Sequence, residues 1–472
     1  MKLSLKTLSI IVMAAGESTR FCATTSNSNH SEIQTKKQWL RIGTNPLWLA
    51  VLESLYEKIM PLCCNAPLHE LLINESLLDP KNPKQSGVLA ALARLEKSED
   101  HSLKQKCYEL LKSPFVDCVI VTASRRDKFY MEKLAPSRLG IPGVESSLAS
   151  VGVHVVEGGD SRYASLQNAL KIVSADCVIV SDCARCNVSS GVLERLFGAF
   201  FDSMAIDCVA PYLPLSDTVA LVGEDSRLTH LDRDALRLIQ TPQISKTARL
   251  IESSKLGAAF SDETSAIAAL HDSKVELVVG ERSLQKITRG EDLALLEPLL
   301  ANKDPILDCM LVGQGSDIHA FMESDSKPLY LCGVHIESGK GLRAHSDGDV
   351  GLHAVIDSIL GAMNCGDIGE LFPDTNPEFS GIDSKLLLRK VYDYCLSTGL
   401  EIANLDITII AQEPRVTPYK AQMRECLAHM LCMKQSRISI KASTAENLGF
   451  IGRREGILAQ CITTLRARTQ KY

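Results

Sequence analysis

Short apolar runs alternate with helical patterns through the first part of the chain. Buried strands are predicted for Leu8–Met13, Val116–Thr122, Val153–Val156 and Cys177–Ser181, and helices for Pro46–Ile59 and Ser165–Ile172. This alternation is typical of an α/β fold with a mostly parallel sheet covered by helices. Ligands bind such sheets at the carboxyl ends of the strands, where Arg20, Asp182 and Arg185 are found.

A second pattern begins with the apolar run at Met310. Asp317 and His319 follow it two residues apart, and strand residues at that spacing face the same side. From Gly348 to Met363 the apolar spacing becomes helical, with Ser346 or Asp347 suited to the N-cap and His353 facing inward. Such an Asp/His/His set suits Zn²⁺ or a similar divalent ion with one position left open. For any single histidine an ordinary buried or loop residue is the favoured interpretation, and the combined block reverses it.

The length of 472 residues predicts at least two domains. We place a first domain at residues 1–300, a polar linker at 301–308 and a second domain at 309–472. The stretch from Pro61 to Ser113 carries no usable motif. The net charge of −6 gives no reason to expect nucleic-acid binding, and no apolar run approaches the roughly 20 residues of a membrane helix.

The 16 cysteines lack the paired spacing of a zinc ribbon or a disulfide scaffold, which predicts reduced thiols in the cytoplasm. The pair Cys183 and Cys186 forms a C-x-x-C, for which a redox role is one interpretation. The chain start imitates a signal peptide, but its apolar run of about eight residues leads directly into Glu17–Arg20. We therefore interpret the start as a strand followed by a phosphate-binding loop.

Further motifs in the second domain carry a family resemblance. With Asp317, His319 and the block His345–His353, they are Gly366–Gly369, Leu371–Thr375, Asp406–Gln412 and Lys441–Phe450. From Met310 to Arg468 the chain resembles the methylerythritol cyclodiphosphate synthase of the non-mevalonate isoprenoid pathway. The resemblance implies an α+β domain that trimerises, with the active site between neighbouring subunits and the metal on Asp317, His319 and His353.

The same resemblance implies the reaction and its residues. The free phosphate of the substrate, phosphorylated CDP-methylerythritol, attacks its own diphosphate, which closes the ring and releases CMP. His345 would grip the attacking phosphate, Thr444 would stabilise the transition state, and Glu446 would bind a second divalent ion. The implied substrate-binding residues are Ser346, Asp367, Gly369, Phe372, Asp374, Ala411, Arg415, Ser443, Glu446, Phe450 and Arg453. Arg415 departs from the lysine that is usual in the family.

A different resemblance covers the first domain from about Leu8 to Leu300, except for residues 55–113, which by this resemblance are predicted to be an insertion. Its motifs are Ala14–Arg20, Gly158–Ser165, Asp182–Arg185, Asp217–Thr218, Asp232–Arg233, Thr241–Gln243, Ser261–Ala266 and Lys286–Thr288. They resemble the methylerythritol phosphate cytidylyltransferase, a relative of the sugar nucleotidylyltransferases, which implies a Rossmann-like domain. Ser181 replaces a usual histidine, and Cys183 and Cys186 replace an alanine and a proline. The C-x-x-C is then most simply two substitutions in a nucleotide-binding loop.

This resemblance implies transfer of a cytidylyl group from CTP to methylerythritol phosphate with release of pyrophosphate. Arg20 and Lys37 match residues that stabilise the α-phosphate. Lys286 and Arg233 match residues that hold the sugar phosphate, Arg233 from a second subunit. The implied substrate-binding residues are Gly16, Gly159, Asp160, Ser165, Asp182, Arg185 and Thr218. Mg²⁺ or Mn²⁺ is expected with the CTP and diphosphate groups.

The sequence thus predicts a bifunctional enzyme of isoprenoid precursor synthesis that forms a homo-oligomer, a hexamer being expected, without nucleic-acid or membrane partners. One alternative is a cytidylyltransferase for another polyol phosphate fused to a metal-dependent phosphatase. The other is a non-catalytic metal-binding scaffold.

Overall fold

The computed structural model describes residues 6–16, 35–42, 45–65, 67–68, 71, 85–98, 100–111, 113–140, 150–203, 205–223, 226–296, 310–323, 327–337, 340–344, 346–373 and 381–468. Contacts divide the chain into two compact units. The first unit contains Met1–Phe21 and Leu47–Ala301, and the second contains Cys22–Pro46 and Asn302–Tyr472. Residues 22–46 therefore group with the second unit, which the sequence did not predict. The predicted linker at 301–308 lies outside the described residues.

The strands before residue 300 are β1 (Thr7–Met13), β2 (Arg41–Ile42), β3 (Asn45–Pro46), β4 (Phe115–Ala123), β5 (Arg138–Gly140), β6 (Ser150–Glu157), β7 (Cys177–Asp182), β8 (Cys208–Pro214), β9 (Val219–Val222), β10 (Leu228–Leu231), β11 (Arg237–Ile239), β12 (Gln243–Lys246) and β13 (Val275–Val279). One sheet of the first unit has the order β11-β8-β12-β7-β1-β4-β6-β5, with β13 also paired to β8. Its centre, β7-β1-β4-β6, is parallel, while β12 runs antiparallel to β7. Strand β1 is buried along its whole length, as expected for a parallel strand covered on both faces.

The helices of the first unit are α1 (Leu47–Ile59), α2 (Gln85–Lys97), α3 (His101–Leu110), α4 (Lys128–Leu134), α5 (Arg162–Leu170), α6 (Ser190–Asp202), α7 (Thr247–Ser253) and α8 (Glu263–Ala268). The predicted strands and helices are confirmed, with shifted ends. Helix α5 begins before the predicted Ser165, because the Ser161 side chain caps it by accepting a hydrogen bond from the Ala164 amide. Helices α2 and α3 occupy the predicted insertion and pack with Phe115 in one apolar cluster.

The second unit continues with strands β14 (Met310–Ala320), β15 (Leu329–Leu331), β16 (Val334–Ile336), β17 (Leu400–Ile410), β18 (Ile438–Ser443) and β19 (Gly456–Ala467). Its remaining helices are α9 (Val350–Ala362), α10 (Ile368–Leu371), α11 (Ser384–Ser397), α12 (Lys420–Met430) and α13 (Gly449–Gly452). The sheet order is β14-β19-β17-β18, with only the β17–β18 pair parallel among these described strands. This arrangement agrees with the predicted α+β fold.

Two glycines let helix α9 lie directly on strand β14. A Cβ atom on Gly313 would come within 2.1 Å of the Ser358 carbonyl oxygen, and one on Gly315 within 2.2 Å of the Ala354 carbonyl oxygen. Any larger residue would push the helix away from the strand. The close packing brings His353 on the helix next to Asp317 on the strand.

The segment that holds β2 is buried within the second unit. Trp39 is fully buried and its ring meets Tyr394 of α11 edge to face, with centroids 6.2 Å apart. The Arg41 Nε atom donates to the Thr398 carbonyl oxygen at 2.8 Å, just beyond the end of α11. Across the part of the chain that the structure describes, no helix is both long and apolar enough to cross a bilayer.

Candidate active sites

A carboxylate and two imidazoles meet in the second unit where β14 faces the start of α9. The Asp317 Oδ2 atom lies 2.9 Å from His319 Nε2 and 2.9 Å from His353 Nδ1. One ligand atom from each of the three residues lies within 4.8 Å of the others. The structure therefore brings together the predicted Asp/His/His set, with two members on one strand and the third on a helix.

The ring orientation of His319 directs an acceptor toward Asp317. His319 Nδ1 lies 3.0 Å from the Arg343 carbonyl oxygen, which can only accept, so Nδ1 carries the hydrogen. The lone pair of a neutral ring is then on Nε2, facing the carboxylate. Converging acceptors of this kind require a cation, and one Asp with two His is a donor set that suits zinc. The residues present therefore fit a divalent metal.

Attraction between the carboxylate and the imidazoles shifts the pKa values of Asp317 and His319. Burial would raise the pKa of Asp317, but hydrogen bonds and charge from His319 and His353 hold it well below its usual range. Burial would lower the pKa of His319, and the hydrogen bond and charge of Asp317 outweigh this, so the pKa of that imidazole is raised.

The N-cap of α9 is Asp349, so the prediction of Ser346 or Asp347 was wrong. The Asp349 carboxylate accepts from the amides of Leu352, Cys332 and Gly333 at 3.0, 2.7 and 2.6 Å. A fully buried carboxylate needs several donors, and the β15–β16 turn supplies two of them. Burial still raises the pKa of Asp349. This cap fixes the start of the helix that carries His353.

Ser346 and Asp347 do not cap the helix. Ser346 contacts the His353 ring directly, and Asp347 is linked to it through Ser384. Ser346 Oγ lies 3.1 Å from His353 Nε2, and Ser384 Oγ lies 2.9 Å from the same nitrogen. Asp347 accepts hydrogen bonds from both the hydroxyl and the amide of Ser384. His345 and Asp374, two predicted site residues, lie outside the described residues.

Other predicted residues of the second unit lie at the ends of its elements. Asp367 caps α10 by accepting from the Glu370 amide at 2.9 Å, Gly369 lies within α10, and Phe372 is buried just after it. Ser443 ends β18, and its carbonyl oxygen accepts from the Ala411 amide at 3.0 Å. The structure thus brings Ala411 and Ser443 together.

The remaining predicted residues of this unit lie in the loops after β17 and β18 and in or just after helix α13. The Thr444 hydroxyl donates to the Glu446 carboxylate, which brings these two residues together. Arg453 Nε forms an exposed ion pair with Glu455 at 2.7 Å. Phe450 lies in α13 and Arg415 is exposed.

The first unit has a cavity of about 710 Å³ beside the carboxyl end of β7. Its polar lining residues are Arg162, Asp182, Arg185, Thr241, Gln243, Ser261, Asp262, Thr264, Ser265 and Lys286. Of the predicted site residues, Asp182, Arg185 and Lys286 line this cavity. Their position at a strand end agrees with where parallel sheets bind ligands.

Ion pairs connect charged side chains at this cavity with one another. Arg162 Nε donates to Asp182 Oδ1 at 2.9 Å, and its Nη1 donates to Glu263 Oε1 at 2.8 Å. Lys286 Nζ contacts the other oxygen of Asp182 at 2.7 Å. Burial would raise the pKa of Asp182, but the two cations hold it well below its usual range. Glu263 is fully buried, and burial raises its pKa. Burial lowers the pKa of Arg185.

The predicted glycine loop packs tightly beside the cavity. The Gly159 amide donates to Ser165 Oγ at 3.0 Å. A Cβ on Gly158 would come within 2.4 Å of the Ala15 side chain, so the loop requires glycine there. Asp160 and Gly16 are exposed.

Several predicted residues of the first site are not among the residues that line the cavity. Arg20 is outside the described residues. Lys37 lies in a short 3₁₀ helix, Lys37–Trp39, that groups with the second unit. Thr218 and Arg233 are exposed, Arg233 Nη1 donates to the Ser216 carbonyl oxygen at 2.8 Å, and neither residue lines the cavity.

The C-x-x-C pair has the character of buried structural thiols. Cys183 and Cys186 are both buried, and neither is part of a disulfide. Burial raises the pKa of Cys186 to about 11, so its reactive thiolate is scarce at neutral pH. A redox role is therefore disfavoured.

Comparison with known proteins assigns both halves. The family model described as 2-C-methyl-D-erythritol 4-phosphate cytidylyltransferase matches residues 95–302, and the one described as the YgbB family matches residues 310–466. A curated protein of Wolinella succinogenes named bifunctional enzyme IspD/IspF is 37% identical over 459 residues, which cover 97% of this chain and 96% of that protein. The chain belongs to the bifunctional IspD/IspF family.

Further bifunctional IspD/IspF proteins agree. One from Campylobacter concisus is 36% identical, with 97% of each chain covered. The solved structure of the bifunctional IspDF from Campylobacter jejuni is 33% identical, covers 98% of this chain and 99% of that one, and has a TM-score of 0.65. The predicted α/β fold and the predicted order of the two families are therefore confirmed, as is a bifunctional enzyme with nucleotidyltransferase and lyase halves.

In this IspD/IspF chain, sequence reasoning missed four side chains that support the sites. Arg162 and Glu263 stand inside motifs that were recognised, yet neither was assigned a role. Ser384 lies outside the recognised motifs, and Asp347 was assigned only a cap. A polar residue within a recognised motif is the signal that could have identified the first pair.

Proposed function

We propose that the chain catalyses two steps of the non-mevalonate pathway. The first transfers a cytidylyl group from CTP to methylerythritol phosphate and releases pyrophosphate. The second cyclises phosphorylated CDP-methylerythritol to methylerythritol cyclodiphosphate and releases CMP. One observation carries this proposal. The chain is related along its length to bifunctional IspD/IspF proteins, and it contains both a cation-lined cavity and an Asp/His/His cluster.

The first reaction brings an anionic nucleophile to a polyanionic triphosphate, so the site must neutralise charge. Lys286 and Arg185 supply cations at the cavity, and we assign the sugar phosphate to Lys286. Asp182 would hold a Mg²⁺ or Mn²⁺ ion, which offsets the charge of the phosphates. We keep Arg20 and Lys37 as the α-phosphate ligands, Arg233 and Thr218 as sugar-phosphate ligands, and Gly16, Gly159, Asp160 and Ser165 as CTP contacts.

The second reaction needs no external nucleophile, so its site folds the substrate and neutralises charge. Asp317, His319 and His353 would hold Zn²⁺ or another divalent ion, which supplies a Lewis acid for the diphosphate. His345 and Ser346 would position the attacking phosphate, and Thr444 would stabilise developing charge. Glu446 would hold a second divalent ion.

We also propose a homo-oligomer with dihedral symmetry, a hexamer of first-unit dimers and second-unit trimers. Exposed apolar side chains support two interfaces. Leu221, Val222 and Leu228 on the β9–β10 hairpin are 60%, 64% and 61% exposed. Met310, Val312 and Ile318 on β14 are 57%, 66% and 52% exposed. Light scattering at assay concentration is expected to give six chains, and a strict monomer would contradict the assembly.

The cytoplasm is the proposed location, because the described cysteines form no disulfides, as expected in a reducing compartment. No nucleic-acid or membrane partner is proposed.

An assay of the purified protein with CTP and methylerythritol phosphate tests the first activity. Pyrophosphate release is expected with methylerythritol phosphate and not with ribitol phosphate. Preference for ribitol phosphate would instead support the alternative cytidylyltransferase. For the second activity, phosphorylated CDP-methylerythritol should yield CMP and a cyclic diphosphate, whereas release of inorganic phosphate would indicate a phosphatase.

A further inference from the structure

The His353 ring is held from its far side by a buried serine. Ser384, the first residue of α11, is fully buried, and its Oγ lies 2.9 Å from His353 Nε2. The same hydroxyl is hydrogen bonded to Asp347 Oδ1. A carboxylate oxygen can only accept, so the single Ser384 hydroxyl hydrogen goes to Asp347.

The direction of the hydrogen bond from Ser384 to Asp347 decides which ring nitrogen of His353 carries the hydrogen. The Ser384 oxygen has only lone pairs left for the ring, so His353 Nε2 must be the donor. When a metal ion is bound, the lone pair on Nδ1 is then available to it, beside Asp317 Oδ2, which lies 2.9 Å from Nδ1. His319 reaches the matching state with its opposite nitrogen, because its Nδ1 donates to the Arg343 carbonyl oxygen.

Asp347 is itself fixed, so the chain of hydrogen bonds does not end in a mobile group. Its Oδ2 atom accepts from the Ser384 amide at 3.1 Å, and its Oδ1 atom also accepts from the Asp349 amide at 3.2 Å. Ser346 Oγ also approaches His353 Nε2, at 3.1 Å, and accepts from the Gly348 amide. Its hydroxyl hydrogen has no such carboxylate in the described contacts, so it can adapt to either tautomer.

We infer that Ser384 and Asp347 are positioning residues that hold His353 in the tautomer presenting Nδ1 to a divalent metal. The inference rests on the proposed metal role of Asp317, His319 and His353. Hydrogen-bond partners of this kind fix ring orientation and raise ligand basicity, and their loss commonly weakens metal binding about 10- to 100-fold.

Zinc affinity measured on the whole chain tests the inference without an activity assay. Metal-free protein would be titrated with Zn²⁺ against a competing chelator. Ser384→Ala is expected to weaken zinc binding at the cluster about 10- to 100-fold, and His353→Ala, which removes a ligand, defines the complete loss. The matched control is Ser397→Ala in the same helix, a buried serine whose hydroxyl donates to the Tyr394 carbonyl oxygen. This control should leave zinc affinity unchanged.

Asp347→Ala supplies the signature that a purely structural role would not give. It frees the Ser384 hydroxyl hydrogen, so the Ser384 oxygen is no longer held as an acceptor for His353 Nε2. In NMR of histidine-labelled, zinc-loaded protein, the signal of the His353 Nε2 hydrogen should move upfield in Asp347→Ala, because its hydrogen bond to Ser384 is weakened. The signal can be assigned by its absence in His353→Ala.

The outcomes separate this inference from the proposed function. Folded Ser384→Ala protein with wild-type zinc affinity, or an unchanged His353 Nε2 hydrogen signal in Asp347→Ala, would overturn the inference. If Ser384→Ala fails to fold, the Asp347→Ala spectrum still decides. Wild-type protein that binds zinc but releases no CMP would contradict the proposed function and leave the positioning role intact.

Discussion

Asp182 and Asp317 are carboxylates whose pKa is held well below its ordinary range, but by different groups. Asp182 lies between the guanidinium of Arg162 and the ammonium of Lys286. Asp317 lies between two imidazoles that are able to give up their protons. The first arrangement keeps fixed charge in the cavity beside β7. The second suits a metal, which can replace the imidazole protons.

Removing His353 should separate the two activities. His353→Ala leaves Asp317 and His319 as an incomplete ligand set. CMP release from phosphorylated CDP-methylerythritol is expected to disappear, and zinc content should fall with it. Pyrophosphate release from CTP should stay within a few-fold of normal. Loss of both activities in a folded, assembled variant would show that the sites are not independent.

The Arg162–Glu263 pair should show the behaviour of a buried ion pair. Arg162→Met leaves the fully buried Glu263 carboxylate without its counterion, which should cost about 3–5 kcal/mol of unfolding free energy. Adding Glu263→Gln removes the stranded charge and should restore much of that loss. Thermal unfolding of the single and double variants measures the coupling.

Arg233→Met is the control for that pair, because Arg233 is exposed and its replacement should change stability by less than about 0.5 kcal/mol. Equal destabilisation in the single and double variants would mean that the charge of Glu263 does not matter.

At the scale of elements, local pattern predicted the strands and helices because each pattern lies within one element. Met310–Ala320 and Val350–Ala362 were both expected, as was their joint contribution to the metal cluster. The N-cap at Asp349 was not expected. Its carboxylate accepts hydrogen bonds from amides of the β15–β16 turn, which only the folded chain brings near. Recognised motifs, rather than periodicity, identified the residues at the sites.

Sequence patterns could not predict contacts between residues that are distant from each other in the chain. Ser384 is 31 residues from His353, and Glu263 is 101 residues from Arg162. No spacing rule connects such residues, since their contact arises only from packing of helices on sheets. The insertion was recognised only as a gap, and its helices α2 and α3 became visible through the apolar cluster that they share with Phe115.

Strands β8 and β12 and the start of β13 are joined at Asp207. Its carboxylate accepts from Lys246 Nζ at 3.0 Å and from the Lys274 amide at 3.1 Å. Burial would raise the pKa of Asp207, but these hydrogen bonds and the charges of Lys246 and Arg249 lower it. A lowered pKa means that the charged form stabilises the fold above the ordinary pKa near 4, and that this is lost as the pH falls through the folded-state value.

Asp207→Asn should therefore lower the melting temperature at pH 7 by a few degrees, about 1 kcal/mol. The difference from wild type should shrink as the pH is reduced below about 4. Melting curves between pH 7 and pH 3 measure it, with Asp202→Asn at an exposed position of α6 as the control. A difference that stays constant down to pH 3 would show that the charge of Asp207 does not stabilise the sheet.

At the scale of the whole molecule, the order of residues along the chain and their grouping in space differ. The segment with Trp39 precedes most of the first unit in sequence but is buried in the second. Sequence motifs could not predict this, because Trp39 belongs to none of them and its partner Tyr394 lies far along the chain. A cut at the predicted linker would separate the two residues.

Trp39→Ala should therefore destabilise the second unit rather than the first. Loss of a fully buried tryptophan costs about 3–5 kcal/mol. In calorimetry of the intact chain, the transition that falls should be the one that Leu405→Ala also lowers, since Leu405 is a fully buried residue of β17 in the second unit. Trp48→Ala is the matched control, because Trp48 is also fully buried but lies in α1 of the first unit. If both substitutions lower the same transition, Trp39 stabilises the first unit and the grouping of residues 22–46 is wrong.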